Sequence, residues 1–319
     1  MHILALISGG IGDQVLFFPT LEDLKRAYPQ SLIDVAVEPR AVSAYRVCKL
    51  VNKLIRFDYQ GQNSLADWSN FLGQIREQEY DMVLSVERSW AVGFTLWLSG
   101  IPVRIGYPGW GSTFLTQTVA LKPDQYTADR YHDLLKGVGI TTPCPPLSIN
   151  LPTKDLEWAE AEQKRLGIKD TGYVLIDGGD PQFNKPRQLQ NRYPMGSWQA
   201  IIEDFQQRQP DLPIVVVQDP EASDWVSVLV TMCPRLKVTT PADTGKLAAM
   251  IAGADLLLCP EGAALQLAVA VNTYAVALLG STHPQTLLPA NDKFVAIVSP
   301  TGQLSDIKPE TVLERIWSS

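Results

Sequence analysis

The sequence predicts an α/β protein of two doubly wound, parallel-sheet domains facing each other across a cleft. Three observations carry that prediction. Short apolar runs alternate with stretches of helical periodicity along most of the chain, which is the pattern of parallel strands joined by right-handed helical crossovers. The alternation breaks once, where Pro143, Pro145, Pro146 and Pro152 crowd together; proline stiffens a chain and interrupts regular structure. The length, 319 residues, suits about two domains of roughly 150 residues. The domains are therefore set at 1–150 and 151–319.

In the N-terminal half, residues 3–8 read as a buried strand that Gly9, Gly10 and Gly12 break. From Asp13, the positions of Leu16, Phe17, Leu21, Leu24 and Ala27 keep helical spacing until Pro29. Strands follow at 32–37, 53–57, 81–86 and 103–106, with helices at 41–51, 68–79 and 91–99. Beyond the prolines, an amphipathic helix at 154–166 opens a second series. Its strands read at 173–176, 214–218, 237–239, 255–259, 274–279 and 294–298, and its helices at 197–208, 223–232, 244–252 and 263–271. The last helix, 309–317, is one that can return to pack on the N-terminal domain.

The chain carries 27 Lys+Arg against 34 Asp+Glu, a formal net charge of −7. That balance excludes broad nucleic-acid affinity, which needs basic surface to displace counterions. Hydrophobic residues make up 45%, enough for two cores and too many for a disordered chain. Four cysteines, at 48, 144, 233 and 259, form no CxxC pair and are too sparse for a disulfide framework, so a reduced, cytoplasmic setting is expected. The opening apolar run is too short for a secretory signal, and no run of about 18 apolar residues occurs. Any membrane would be met peripherally, at its inner face. The histidines, at 2, 132 and 283, are dispersed, and no metal-ligand cluster is expected.

In open α/β sheets, ligands bind beyond the carboxyl ends of strands and next to helix N-termini. Three loops fit that position. The first is Gly9-Gly10-Ile11-Gly12-Asp13. Its glycines allow a tight turn and a close approach by another molecule. Asp13 reads either as a helix cap or as an acid presented to a ligand as a general base. The helix end would lower its pKa, so a base needs a partly desolvated site to offset that. The second loop runs from Asp177-Gly178-Gly179-Asp180 to Trp198 and brings in Lys185, Arg187 and Arg192, cations suited to a diphosphate. Trp198 reads as core packing. The third passes from Cys259 through Glu261, Gly262 and Ala263 into a helix of small residues containing Gln266; the next strand ends at Gly280-Ser281-Thr282-His283-Pro284. Free N–H groups at such a helix start make an anion site. Glu261 reads equally as an acid placed for helix electrostatics, and His283 as a surface residue.

Taken in order, these loops resemble glycosyltransferase family 9, the ADP-heptose:lipopolysaccharide heptosyltransferases. The resemblance rests on Gly10-Ile11-Gly12-Asp13-Gln14-Val15-Leu16, on Arg104-Ile105-Gly106-Tyr107, on Tyr131-His132-Asp133-Leu134-Leu135, on Arg192-Tyr193-Pro194 with Trp198, and on 247–255 leading to Glu261 and then 280–284. It implies the GT-B type of fold, with two Rossmann-like domains. It also implies inverting, metal-independent transfer of a heptose-like sugar, with no resident cofactor and with a nucleotide-sugar, ADP-linked in the family, as co-substrate. The acceptor is a glycolipid or polysaccharide of the cell envelope, such as lipopolysaccharide. On this resemblance Asp13 is the base and Gly10 and Gly12 form the acceptor-side loop. Lys185, Arg192, Glu261, Gly262, Ala263, Gln266, Ser281 and Thr282 bind the donor.

The sequence departs from the family at the third loop. Where the family has Asp-Thr-Gly-x-x-His, Glu261, Gly262 and Ala263 lie over Asp-Thr-Gly and Gln266 over His. Asn191 stands where the family has lysine. Two readings stay open: a transferase with another donor, or a catalytically inert relative that binds a sugar, a nucleotide or a protein.

Overall fold

The computed structural model describes residues 1–59, 61–179, 192–219 and 224–318. The chain forms two compact units, Met1–Asn150 and Leu151–Ser319.

The first unit is built on β1 (His2–Ile7), β2 (Leu32–Val37), β3 (Lys53–Arg56), β4 (Met82–Ser85), β5 (Val103–Gly106) and β6 (Gln117–Thr118). They form one sheet in the order β3-β2-β1-β4-β5-β6, parallel at every pairing. Central strand β1 is apolar from Ile3 to Ile7 because both faces are covered: Ile3, Leu4, Ala5, Leu6 and Ile7 are all fully buried. Helix α1 (Ile11–Ala27) and α4 (Thr127–His132) pack together on one face, while α2 (Leu65–Glu77) and α3 (Trp90–Leu98) share the other. Local chemistry fixes the helix starts. Ser64 caps α2 by accepting the Asp67 amide, and Ser89 caps α3 by accepting the Val92 amide.

Several features of this unit differ from the sequence expectation, and helix α4 has no counterpart there at all. The helix expected at 41–51 is a 3-10 helix over Pro39–Val47. Its fully buried residues Ala41, Ala44 and Val47 recur every third position; a helix of three residues per turn keeps them in line, where an α-helix would carry each one further round its axis. Strand β6 has no counterpart in the sequence reading, because its two residues are exposed and carry no apolar signal.

The second unit holds α5 (Thr153–Leu166), β7 (Val174–Ile176), α6 (Met195–Arg208), β8 (Ile214–Val217), α7 (Asp224–Met232), β9 (Lys237–Thr239), α8 (Thr244–Ala252), β10 (Leu256–Pro260), α9 (Ala263–Val271), β11 (Ala275–Leu279), α10 (Pro284–Leu287), β12 (Phe294–Val298) and α11 (Pro309–Trp317). Its strand order, β12-β11-β10-β7-β8-β9, repeats that of the first unit. Trp198, Ile201, Ile202 and Phe205 of α6 join the core against these strands, so Trp198 is core, as its sequence context suggests. The last helix packs within its own unit: the Trp317 ring lies tilted against Phe205 at 4.8 Å and donates its indole N–H to Asp204 at 2.8 Å.

In each sheet the winding direction reverses between the first and fourth strands, β1/β4 and β7/β10. That reversal is the place where open α/β sheets bind ligands.

Candidate functional site

Asp13 leaves the carboxyl end of β1, at the reversal point of the first sheet. Gly10 is the N-cap of α1, which puts Asp13 at the third helical position. The Gly10 amide donates to Asp13 Oδ2 at 2.9 Å, the reciprocal half of a capping box. Gly12 lies between them, in the first turn. Gly9 has φ +100°, and a Cβ there would overlap Asp13 Oδ2, so only glycine fits beside this carboxylate.

Four further residues complete the surroundings. Glu38, which follows β2, is 2% exposed. It accepts the Gly9 amide at 2.8 Å and Arg40 Nε at 2.8 Å. Tyr131 of α4 is buried and points its hydroxyl to Asp13 Oδ1 at 3.5 Å, with its ring 5.7 Å from that of Phe17. Buried Gln14 ties α1 to the strand end, donating to the Ile7 carbonyl at 3.1 Å and accepting the Tyr45 hydroxyl at 2.7 Å.

The electrostatics decide what Asp13 can do. Burial pushes its carboxyl up, and the negative charge of Glu38 adds to that; the Gly10 amide, Arg40 and Tyr131 pull it down. The result lies above the usual carboxylate range. Desolvation therefore outweighs the helix end, the condition that a base role requires. Burial likewise lifts the Tyr131 hydroxyl far above its ordinary value, so it stays protonated and donates. Capping and proton acceptance are compatible here: Gly10 bonds one oxygen and the other faces a weak, long contact.

The second unit places its candidates around β7, β10 and β11. Pro260 of β10 pairs with Leu278 of β11, and Leu258 with Ile176 of β7, so three loops leave neighbouring strand ends. After β7, Asp177 accepts the Gly179 amide at 2.8 Å. Gly179 has φ +88° and lies against Pro260. Asp180, Lys185, Arg187 and Asn191 lie outside the described residues. Arg192 is exposed, and buried Tyr193 packs edge-on against Trp198 at 5.0 Å.

Glu261 is exposed just after β10, with its amide donating to the Leu278 carbonyl at 3.2 Å. Gly262 is the N-cap of α9 and Ala263 its first residue; the helix start has no side-chain cap and no acid in its first turn. Among the described residues its first turn thus has no capping side chain and no acid, as an anion site needs. Ser281 and Thr282 follow β11, Ser281 exposed and Thr282 half-buried. His283 is exposed, and its carbonyl accepts the Thr286 amide and hydroxyl.

Gln266 sits differently from the other candidates of this loop. It is 3% exposed and donates to the Leu287 carbonyl at 3.1 Å, while its Oε1 has no partner among the described residues. Its amide works between α9 and α10, inside the unit. Among the described residues, no three His, Cys, Asp or Glu side chains gather as a metal site.

Sequence reasoning missed Glu38, Arg40 and Tyr131 as surroundings of Asp13. Tyr131 falls in a segment that carries the family resemblance but has no role attached to it there. Glu38-Pro39-Arg40 gives no signal beyond the end of a strand.

A family profile described as glycosyltransferase family 9 (heptosyltransferase) matches residues 68–316. Among curated proteins, the chain is 25% identical over 335 residues to the photosynthetic NDH subunit of subcomplex B 1 of Arabidopsis thaliana chloroplasts, covering 96% of this chain and 71% of that one. It is 22% identical over 284 residues to lipopolysaccharide heptosyltransferase 3 of Escherichia coli, covering 85% and 81%. Among solved structures, a family 9 glycosyl transferase from Veillonella parvula has a TM-score of 0.83 at 20% identity, covering 99% of this chain and 96% of that one. The E. coli heptosyltransferase WaaC with ADP-2-deoxy-2-fluoro heptose has a TM-score of 0.77 at 17% identity, covering 100% and 99%. At these identities the structural likeness is one of fold.

Proposed function

The chain belongs to glycosyltransferase family 9, and from that footing we propose that it moves a heptose-like sugar from a nucleotide-sugar to a glycolipid or polysaccharide of the cell envelope, with inversion and without a metal. One observation carries the reading: a carboxylate at the reversal point of the first sheet whose basicity burial raises. In the proposed step, Asp13 takes the proton of an acceptor hydroxyl as its oxygen bonds the anomeric carbon. The bond from that carbon to the diphosphate breaks, and the electron pair leaves with the diphosphate. The first amides of α9, with Thr282, Ser281 and the cations Arg192 and Lys185, oppose the charge that develops there. Glu261, Gly262, Ala263 and Gln266 are proposed as the wall of the donor site. An ADP-linked donor is proposed because WaaC was solved with one.

The test is a panel of nucleotide-sugars. A donor that binds the folded chain raises its melting temperature, and transfer from that donor should fall by about 10²- to 10⁴-fold in Asp13→Asn. Full transfer activity in the variant removes Asp13 as the base.

A second reading has its own support. Gln266 stands where the family has histidine and spends its amide on Leu287, and one relative matched over 96% of this chain is named as a subunit of a chloroplast complex. On that reading the chain is an inert relative that binds a partner. No thermal shift and no hydrolysis with any donor would favour it.

A further inference from the structure

Helix α3 has a face that the core does not use. Its Val92 and Leu96 pack into the core beside Phe71 and Ile75. Trp90, Phe94 and Trp97 recur at i, i+4 and i+7, a single stripe of the helix. Their rings stack in series, Trp90 on Phe94 at 4.9 Å and Phe94 near Trp97 at 5.9 Å, and Phe114 meets Phe94 edge-on at 5.5 Å. The stripe is open to solvent: Trp90 is 55% exposed and Trp97 52%. No residue of α3 is charged.

A third tryptophan joins it from a neighbouring loop. Gly93 of α3 and Gly111 touch backbone to backbone, and a Cβ on either would overlap the other segment. That approach seats the 109–111 loop on the first turn of α3 and brings Trp110, 88% exposed, to that end of the helix. The Gly111 amide donates to the Arg88 carbonyl at 3.1 Å, which fixes the arrangement.

The stretch of sequence that carries the rings is positive although the whole chain is not. The whole carries −7, yet from Arg88 through Pro123 there is no Asp or Glu. Lys122 is tied to Asp133 at 2.9 Å. Arg88 and Arg104 instead donate to carbonyls of the aromatic loops, Arg88 Nε to Pro108 and Arg104 Nε to Phe114. Both guanidinium groups are therefore held against the backbone of the segments that carry Trp110 and Phe114. Indoles, apolar with one polar edge, favour the boundary between hydrocarbon and water, and cations beside them favour anionic headgroups. A second copy of this face would offer the same positive charge and no complement. The nine residues of α3 suit a helix lying in the interface, not crossing it.

We propose that the surface formed by Trp90, Trp97 and Trp110, with Arg88 and Arg104 at its margin, docks the N-terminal unit onto an anionic lipid bilayer. The indoles sit at headgroup depth and the guanidinium groups meet phosphate. This inference does not depend on the donor, the acceptor or catalysis.

The test is co-sedimentation of the full chain with vesicles of phosphatidylcholine alone and of phosphatidylcholine mixed with phosphatidylglycerol. Binding is expected only to the mixed vesicles and should weaken with salt. Trp110→Gln, at a position too exposed to disturb packing, should lower the partition coefficient, and Trp97→Gln with Trp110→Gln should lower it by about tenfold or more. Arg88→Gln should lower it by about fivefold. Circular dichroism and the melting temperature check that each variant is folded. The proposal is overturned by absent binding to mixed vesicles at low salt, or by unchanged binding in the folded Trp97/Trp110 variant. It is equally overturned if sedimentation velocity shows self-association that depends on Trp110 while vesicles are ignored.

Discussion

Gly9 and Asp13 occupy adjoining space, so that a Cβ on Gly9 would overlap the Asp13 carboxylate, and Gly9 holds φ +100°. Its amide meanwhile donates to Glu38 at 2.8 Å. The glycine therefore sets both the position of the acid and the path of the loop around it. Gly9→Ala must displace Asp13 and strain the backbone. We expect a stability loss of about 2 kcal/mol, read from urea unfolding. On the transferase reading, the transfer rate should fall by more than that stability change explains.

Asp13 should also report its environment through pH. Its carboxyl is raised by burial, so protonation favours the folded chain, and the wild type loses stability as pH rises through the folded pKa. The Asp13→Asn variant has no such dependence, and its side-chain carbonyl can still accept the Gly10 amide. The melting temperature of Asp13→Asn relative to wild type should therefore climb as pH rises from about 4 to 8. A flat difference across that range would contradict a raised carboxyl.

Far from the strand ends, α1 is tied to the C-terminal part of its own unit by Asp23. This carboxylate, 2% exposed, accepts His132 Nε2 at 2.9 Å and the Thr142 hydroxyl at 2.6 Å, and pairs with Arg26. Burial opposes its ionisation, but Thr142, His132 and Arg26 together outweigh it and hold the carboxyl below the usual range. A lowered carboxyl contributes stability above its unfolded pKa and loses it as pH falls through the folded one. Thr142→Val should cost about 1 kcal/mol near neutrality. That cost should shrink below about pH 4, as urea midpoints at the two pH values would show.

Gln266 offers a test between a structural and a donor-binding role. Gln266→Leu removes the donor to the Leu287 carbonyl and also removes the buried, unpartnered Oε1. The two changes oppose each other, so stability should move by no more than about 1 kcal/mol. If its work is internal to the unit, the thermal shift produced by a bound nucleotide-sugar stays the same. Loss of that shift in a folded variant would assign Gln266 to the donor.

The sequence by itself determined the two α/β units, the strands that form their inner layers and the three loops that leave the strand ends. These signals are local: an apolar run, a glycine break or a proline cluster is complete within a few residues. The turn at 39–47 escaped because its buried residues repeat every third position, a period that an α-helical reading absorbs. Only the tertiary structure decided what surrounds Asp13. Glu38 reaches that loop from 29 residues away and Tyr131 reaches Asp13 from 118. Glu38 has no neighbour in sequence that marks it, and the segment that holds Tyr131 does not say which residue it faces. Whether an acid at a helix start is only a cap or also a base depends on its desolvation. Desolvation is set by side chains that parallel strand order and helix packing bring together, which no local pattern records.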